Sequence, residues 1–301
     1  MLVWSVGEVL WDVFPDQERF GGAPLNFCAN IQRLGDHALL LSAVGDDERG
    51  RLALDRMRAL GLDTEGIAVA AELPTGAAIV GTNAEGEPSF VIPRPAAFDA
   101  LSLDETTFAK ARTSHVDWLY FGTLLQTDEA MERGIAELAA QLTTARCFYD
   151  MNLRTGQWTL PLVQRLSHLA SILKLNESEA QTLFGLTNGE TTPFVLETFC
   201  RVWARTYGID VICVTLGPDG CLVYQAADET FTRTPGYAVT VRDTVGSGDA
   251  FAAAFLHGYT QGWSALESSR FANALGALVA SRAGATPDWT LAEVQAMSKP
   301  R

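Results

Sequence analysis

The chain has 301 residues, of which 48% are hydrophobic and 19% are charged, a composition that is typical of a folded enzyme and excludes a disordered chain. Its 22 basic and 36 acidic residues give a formal net charge of −14, and no stretch carries the basic stripe that a nucleic-acid-binding protein needs. The few lysines are scattered, which argues against a polybasic patch that binds membrane surfaces.

Short apolar runs alternate with amphipathic segments along the whole chain, and this rhythm predicts a mostly parallel sheet with helices on both faces. The elements predicted in chain order are a strand at 2–6, helix 24–34, strand 38–44, helix 48–60, strand 117–121, helix 128–142, strand 147–150, helix 161–169, strand 171–175, helices 177–184 and 193–207, strands 211–216 and 221–224, and helices 249–261 and 265–283.

Two segments do not fit this alternation. Residues 12–20 follow the first strand directly, and residues 75–92 have the pattern of a hairpin with its turn at Glu85-Gly86. The two segments are predicted to form a small β-sheet that stands off the main body as a lid, although a pair of ordinary edge strands is the alternative.

Cysteine usage and the N-terminus both favour a cytoplasmic protein. The five cysteines have irregular spacing and no CxxC pair, which argues against zinc and thioredoxin-type redox sites and predicts free buried thiols. The N-terminus is apolar but lacks a basic region, so it is predicted to be a strand and not a signal peptide. The late apolar stretch at 271–285 is too short and too polar to span a bilayer.

The segment Asp243–Asp249, DTVGSGD, precedes a long apolar helix. A helix start with glycines is an anion site, and the amides of Gly246, Ser247, Gly248 and Asp249 are predicted to face a phosphate. The Asp249 carboxylate could take the proton of a hydroxyl held beside that phosphate. The alternative is a tight turn followed by a favourable acid in the first helical turn.

Several competing motifs fail. The dinucleotide-binding pattern GxGxxG would need glycine where Phe251 stands, which disfavours a dehydrogenase. The chain has no Gly-Lys pair for a P-loop, no serine-elbow pattern around Ser247 and no protein-kinase triplets. Its four histidines are isolated, so a histidine metal site is not expected.

A second glycine-rich stretch, Gly21–Asn26 (GGAPLN), opens the first predicted helix. Pro24 suits the first helical turn, and the paired glycines let another group approach the backbone. Asn26 can both donate and accept hydrogen bonds, which suits a sugar hydroxyl, but it can equally bond to the local backbone.

Together these motifs resemble the two signatures of the ribokinase-like carbohydrate kinases, also called the phosphofructokinase-B family, and the chain is most similar to bacterial fructokinases. DTVGSGD resembles the family pattern DTxGAGD, with Ser247 in place of alanine. The resemblance covers nearly the whole chain. It implies one kinase domain over 1–301, an α/β three-layer sandwich with a mostly parallel central sheet and a small β-sheet lid.

The resemblance also implies where the sugar binds. Asp12 matches the aspartate that binds sugar hydroxyls, and Gly22 and Asn26 belong to the N-terminal signature. Arg94 follows the lid strands and is a candidate for closing over the sugar. A solvated arginine is the alternative for Arg94, because its neighbours differ from the commonest family form.

On the phosphate side, Arg154 lies in a D-x-N-x-R stretch whose arginine faces the phosphates in the family. A surface arginine is the alternative. Asn176 and Glu179 fit an N-x-x-E motif tied to magnesium, with contact through water. For them the alternative is a helix cap beside a solvated glutamate.

On the nucleotide side, Thr215, Gly217 and Gly220 resemble the family's nucleotide-binding turn, and Asn273 matches its adenine-side helix. The small residues near Asn273 would let that helix approach a flat base, although close helix packing explains them equally well. Asp243, with the carbonyls around Val245 and Gly284, is a candidate ligand set for potassium beside the anion site.

The implied function is an ATP-dependent sugar kinase that uses Mg²⁺, and above all a fructokinase that phosphorylates the 6-hydroxyl of fructose. Two alternatives stay open, a kinase of another sugar such as ribose or a 2-keto-3-deoxy sugar acid, and a nucleotide-binding regulator without catalysis. The expected partner is the small sugar, with neither nucleic acid nor membrane, and a homodimer is compatible with the resemblance.

Overall fold

A computed structural model describes residues 1–82, 88–189 and 192–299. The strands are β1 Leu2–Val6, β2 Leu10–Val13, β3 Glu18–Gly21, β4 His37–Gly45, β5 Ile67–Ala70, β6 Gly76–Thr82, β7 Pro88–Val91, β8 Trp118–Gly122, β9 Arg146–Asp150, β10 Ile172–Asn176, β11 Val211–Thr215, β12 Cys221–Gln225 and β13 Thr230–Thr234. The helices are α1 Ala23–Arg33, α2 Glu48–Ala59, α3 Glu105–Thr113, α4 Glu129–Gln141, α5 Leu160–Ser167, α6 Glu177–Asn188, α7 Leu196–Tyr207, α8 Ser247–Thr260, α9 Ala265–Ala280 and α10 Leu291–Ser298.

The large sheet has nine strands in the order β13-β12-β11-β10-β9-β8-β1-β4-β5. Its strands pair in parallel except at one edge, where β12 runs antiparallel to both β11 and β13. The connection from β11 to β12 is a short turn at Gly217–Asp219, too short for a crossover helix, so this pair must be antiparallel. The predicted mostly parallel sheet is confirmed.

Both faces of this sheet are covered by helices. In β8, Leu119 and Phe121 face one apolar cluster, which is filled by α4, α5, α6 and α7. Trp118 and Tyr120 face the opposite cluster, which is filled by α1, α2, α8 and α9. Because successive side chains of a strand point to opposite faces, a strand buried on both faces is apolar throughout, which explains the continuous run WLYF.

A second sheet of four strands has the order β3-β2-β6-β7. In it, β2 pairs antiparallel with β3, which places Asp12 opposite Arg19, and parallel with β6. The strands β6 and β7 pair antiparallel, as the hairpin pattern predicted, while the Glu85-Gly86 turn lies outside the described residues. The small sheet therefore uses both unusual segments and begins at Leu10, two residues earlier than predicted.

The sequence prediction missed or misplaced several elements. It lacked β5, β13, α3 and α10, although both helices begin with local caps. The Asp104 side chain accepts the Thr107 amide at the start of α3, and Thr290 and Glu293 form a capping box at the start of α10. Helix α8 begins at Ser247 and not at Asp249.

Two further expectations concern cysteines and membrane segments. All five cysteines are buried free thiols, as predicted. Across the ranges that the structure covers, no helix is both long enough and apolar enough to cross a bilayer.

Candidate active site

Two cavities meet at the N-terminus of α8. The first has a volume of about 700 Å³ and is called the carboxylate-lined cavity, because its wall contains Glu8, Asp12 and Asp249. The second has a volume of about 530 Å³ and is called the apolar cavity, because valine, alanine, glycine and phenylalanine dominate its wall. Both share Thr244 and Gly248, so a molecule in one cavity can reach a molecule in the other across the start of α8.

The turn before α8 has the geometry of an anion site. Gly246 caps the helix with φ 79°, and a Cβ there would lie 2.2 Å from the Ala285 carbonyl oxygen, so only glycine fits. One predicted donor is engaged, since the Ser247 amide donates to the Thr244 carbonyl at 3.2 Å. In the described part of the chain, the amides of Gly246, Gly248 and Asp249 have no protein acceptor, as expected at a helix start.

The Asp249 carboxyl lies in the first turn of α8 and is 8% exposed. Its Oδ2 accepts a hydrogen bond from the Asn26 side-chain amide at 2.8 Å. Burial raises the pKa of Asp249 to about 6, although the nearby Lys174 ammonium opposes the rise. A carboxylate with this pKa is ionised near neutral pH and is matched to accept a proton from a hydroxyl.

The sugar-side motif reaches the same cavity. Asp12 comes from β2, and Gly22 and Asn26 come from the start of α1. Burial raises the pKa of Asp12 to about 6. Gly22 has φ 119°, and a Cβ there would lie 2.5 Å from the Glu8 carbonyl oxygen. The glycine at this position therefore allows the protein's own backbone to come close.

Arg154 also lines the carboxylate-lined cavity, as the loop after β9 predicted. Its positive charge lowers the pKa values of Glu8, Asp12 and Asp249 against the larger effect of burial. The loop is fixed at Leu153, whose amide donates to Glu179 Oε1 at 2.7 Å. An exposed guanidinium in the wall of this cavity suits an anionic group that enters it.

The predicted nucleotide residues line the apolar cavity together. Thr215, Gly217, Gly220 and Asn273 all belong to its wall. The Asn273 side-chain amide donates to the carbonyls of Thr234 and Pro235, at 3.2 Å each, so it fixes the wall opposite α9. A broad apolar slot beside an anion site is the shape that an adenine nucleotide needs.

An anion site with a buried carboxylate between a polar and an apolar cavity is the arrangement expected of a phosphoryl transferase, and comparison with known proteins decides its class. The family model described as pfkB family carbohydrate kinase matches residues 6–291.

The chain belongs to the pfkB family of carbohydrate kinases.

Its relatives and structural neighbours agree. The chain is 32% identical to fructokinase-1 of Zea mays, over 95% of this chain and 94% of the relative. It is 29% identical to the aminoimidazole riboside kinase of Salmonella typhimurium, over 94% and 90% of the two chains. A putative ribokinase II of E. coli, solved with ATP and Mg²⁺, superposes with a TM-score of 0.82 over 98% of each chain at 23% identity. The ribokinase-like fold is therefore confirmed, and the protein is a sugar kinase.

Two charged residues of this pfkB kinase were not singled out as site residues from the sequence. Lys174 is 4% exposed on β10, and its Nζ lies 2.9 Å from Asp150 Oδ1, while Tyr120 donates to Asp150 Oδ2 at 2.9 Å. Burial lowers the pKa of Lys174, but the carboxylates of Asp150 and Asp249 outweigh it and hold the pKa above its usual value. A Cβ on Gly248 would lie 3.1 Å from Nζ, so the ammonium lies directly behind the anion site.

The other is Glu8, which is 6% exposed and lines the carboxylate-lined cavity. Its Oε1 accepts the Ala23 amide at 3.3 Å, and burial raises its pKa to about 7. The sequence signal for both residues was the same, a charge inside an apolar run, GEVLW for Glu8 and ILKLN for Lys174.

Arg94 does not reach either cavity in the pfkB kinase. Its guanidinium donates to the Asp99 carboxylate, to the Thr127 hydroxyl and, at 3.0 Å, to the Leu124 carbonyl. These contacts tie the segment after β7 to the large sheet. The structure therefore gives Arg94 a structural place and does not bring it to the sugar-side residues.

The predicted magnesium pair forms a helix cap at the start of α6. Asn176 Oδ1 accepts the Glu179 amide at 2.8 Å, and Glu179 Oε2 accepts the Asn176 amide at 2.8 Å. Because Glu179 Oε1 holds Leu153, both carboxylate oxygens already accept protein amides. Within residues 1–82, 88–189 and 192–299, no cluster of three or more potential metal-binding side chains occurs.

The predicted potassium ligand Asp243 is surrounded by donors. Its Oδ1 accepts the Val245 amide at 3.1 Å, and its Oδ2 accepts both the Gly284 amide at 3.1 Å and the Arg19 guanidinium. The carbonyls around Val245 and Gly284 are the predicted ligands of a cation in this region. Amide N–H groups and a guanidinium reach the carboxylate instead, and these groups do not fit a bound metal ion.

Proposed function

We propose that this kinase transfers the γ-phosphoryl group of ATP to the 6-hydroxyl of D-fructose. The observation that carries the proposal is the position of Asp249, a buried carboxylate at an anion-binding helix start between a polar and an apolar cavity. The fructokinase name of a relative with 32% identity supports fructose as the acceptor.

The sugar is placed in the carboxylate-lined cavity, where Asp12 and Asn26 bind its hydroxyl groups. The cavity wall contains three carboxyl groups and the guanidinium of Arg154. Carboxylates accept hydrogen bonds from hydroxyls but repel another anion, which favours a neutral sugar over a sugar acid. This charge balance argues against the alternative 2-keto-3-deoxy sugar acid.

The nucleotide is placed in the apolar cavity, with its terminal phosphate at the amides of Gly246, Gly248 and Asp249. Lys174 next to Gly248 and Arg154 in the wall of the carboxylate-lined cavity add positive charge near that point. Donors and charges that are fixed before the reaction stabilise the transferring phosphoryl group without reorganisation, which is the main source of rate in this chemistry.

In the chemical step, the sugar hydroxyl oxygen attacks the γ-phosphorus as its proton passes to Asp249. The bond from phosphorus to the β–γ bridging oxygen breaks, and its electron pair leaves with ADP. The Asn26 amide holds Asp249 Oδ2, so the carboxylate is oriented before the sugar arrives. Asp249 later releases the proton to solvent, which restores the enzyme.

Magnesium, when bound to the nucleotide phosphates, supplies positive charge to the β- and γ-oxygens. The oxygens of Asn176 and Glu179 already accept protein hydrogen bonds, so these residues would hold such an ion only through water and not directly. No potassium ligand is assigned, because donors surround Asp243.

The small sheet is proposed to act as a lid over the sugar. Leu10 and Asp12 of β2, Ala78 of β6, and Val91 of β7 line the carboxylate-lined cavity, so movement of this sheet would open and close it. Closure would exclude water, which would otherwise accept the phosphoryl group. The five buried free thiols fit a reducing compartment, and we propose the cytoplasm.

A panel of sugars tests the proposal. Fructose, ribose, aminoimidazole riboside and 2-keto-3-deoxygluconate are each incubated with ATP and Mg²⁺, and ADP release and product mass are measured. We expect the highest kcat/KM with fructose and a product phosphorylated at position 6 by NMR, and a strongly reduced kcat with the Asp249→Asn variant. A higher kcat/KM with any other sugar would overturn the fructokinase assignment.

A further inference from the structure

The carboxylate of Asp243 lies in the loop that leads into α8, and its side chain is 9% exposed. A buried carboxylate is costly unless a positive charge or several donors compensate it. The groups that compensate Asp243 can affect the anion-binding turn, because Asp243 stands three residues before Gly246, which forms that turn.

The groups that compensate Asp243 come from three parts of the chain. Val245 donates its amide within the loop, at 3.1 Å, and Gly284 donates its amide from the segment after α9, also at 3.1 Å. The third donor is the guanidinium of Arg19 on β3 of the small sheet. A potassium ion would need oxygen ligands around it, whereas this carboxylate faces N–H groups and a cationic side chain.

The Arg19 side chain is held in place by the turn that joins β2 to β3. Its Nε donates to Gln17 Oε1 at 3.3 Å, and its guanidinium carbon lies 5.0 Å from the centre of the Phe14 ring. Arg19 also stands opposite Asp12 in the β2–β3 pairing. The guanidinium is therefore attached to the strand pair that contributes Asp12 to the sugar side, and it reaches across to the turn that binds the phosphate.

We propose that Arg19 is a built-in cation that takes the place of a monovalent metal ion at Asp243, so that the kinase needs no potassium. The same ion pair joins the small sheet to the loop before α8, and Arg19 acts as a positioning residue for the anion-binding turn. This inference concerns the cation requirement of the proposed phosphoryl transfer. It rests on that proposed function only in part, because cation binding also affects the stability of the protein.

The activity test compares phosphoryl transfer in chloride salts of potassium, sodium and tetramethylammonium at equal ionic strength. The wild-type rate is expected to be the same in all three salts. The Arg19→Ala variant is expected to lose about tenfold or more in kcat in tetramethylammonium and to regain most of it in potassium. A purely structural role for Arg19 would give a loss that potassium does not restore.

The matched control is Arg49→Ala, which removes the ion pair between Arg49 of α2 and Glu18, the neighbour of Arg19 on β3. This pair touches the same strand but not Asp243. The control is expected to keep its activity in all three salts, so that loss of one ion pair at the small sheet is separated from loss of the charge at Asp243.

Thermal unfolding gives a second readout that requires neither sugar nor ATP. Potassium in place of tetramethylammonium is expected to leave the wild-type Tm unchanged and to raise the Tm of Arg19→Ala. If no sugar is phosphorylated, the proposed function fails while this measurement still tests the inference. The inference is overturned if potassium raises the wild-type Tm or rate, or if Arg19→Ala stays active and insensitive to the cation.

Discussion

The side-chain amide of Asn26 donates a hydrogen bond to Asp249 Oδ2 at 2.8 Å, across 223 positions of sequence. This contact joins the first turns of α1 and α8, each of which opens with a glycine pair. It engages one oxygen of Asp249 and leaves Oδ1 to accept a proton. The two motifs that carry the family resemblance therefore meet at Asp249, the carboxylate that we propose as the catalytic base.

The first prediction concerns Asp249→Asn. The amide is nearly isosteric and can still accept from Asn26, but it cannot take the hydroxyl proton. We expect kcat to fall about 10²–10⁴-fold, the usual contribution of a general base, with the Kd for ATP unchanged. Calorimetric titration measures the Kd for ATP, and steady-state kinetics measure kcat. A variant that kept more than about a tenth of the turnover would show that Asp249 is not the base.

The second prediction concerns Glu8 and stability. Burial raises the pKa of Glu8 to about 7 from its ordinary value of 4.5, so the folded protein holds this proton more tightly than the unfolded chain does. The sign follows from linkage: as the pH rises from the unfolded pKa through the folded pKa, the carboxyl must ionise in a buried position and stability is lost.

Glu8→Gln removes this cost and keeps an oxygen for the Ala23 amide. We expect the variant to have a free energy of unfolding higher by on the order of 2–3 kcal/mol at about pH 8, and by much less at about pH 5. Urea titrations at both pH values measure it. Equal effects at the two pH values would mean that ionisation of Glu8 is not the cause.

The strand that carries Lys174 shows what the sequence could predict and what it could not. Residues 172–175 are apolar apart from this lysine, so the strand was predictable from composition alone. Its partner Asp150 lies on the neighbouring strand β9, 24 positions away. Because charges inside apolar strands are rare, the lysine was a signal for a buried ion pair, but only the packing of β9, β10 and α8 shows that it lies behind Gly248.

Local motifs predicted local structure better than they predicted chemistry. Asn176 and Glu179 were assigned to magnesium by resemblance, yet the same two residues at this spacing are a capping box, and the structure forms one. The contact between Arg19 of the small sheet and Asp243 in the loop before α8 spans 224 positions, and no periodic pattern indicates it. Most of the elements followed from the sequence, whereas the partners of charged side chains required the fold.

The third prediction separates the structural and catalytic roles of Lys174. Lys174→Met leaves Asp150 buried without its counter-charge, so we expect a loss of about 3–5 kcal/mol in the free energy of unfolding together with a loss of turnover. The double variant Lys174→Met, Asp150→Asn removes both charges and is expected to recover most of the stability but not the turnover. Recovery of both would mean that Lys174 acts only on stability.

The last prediction tests the anion site, where backbone amides and not side chains are the donors. Ser247→Ala keeps every backbone amide of the turn, and the Ser247 amide itself is already bound to the Thr244 carbonyl. The substitution should therefore leave kcat nearly unchanged. Gly248→Val adds a β-branched side chain whose Cβ would lie 3.1 Å from the Lys174 ammonium, so it would push that ammonium away and restrict the backbone of the anion-binding turn. We expect kcat to fall about 10²-fold or more, the scale of losing one oxyanion donor.

Thermal unfolding of both variants serves as the control, and kcat is measured at saturating sugar and ATP. If Ser247→Ala is as damaging as Gly248→Val while both remain folded, the serine hydroxyl takes part in the reaction and the backbone-donor mechanism is wrong.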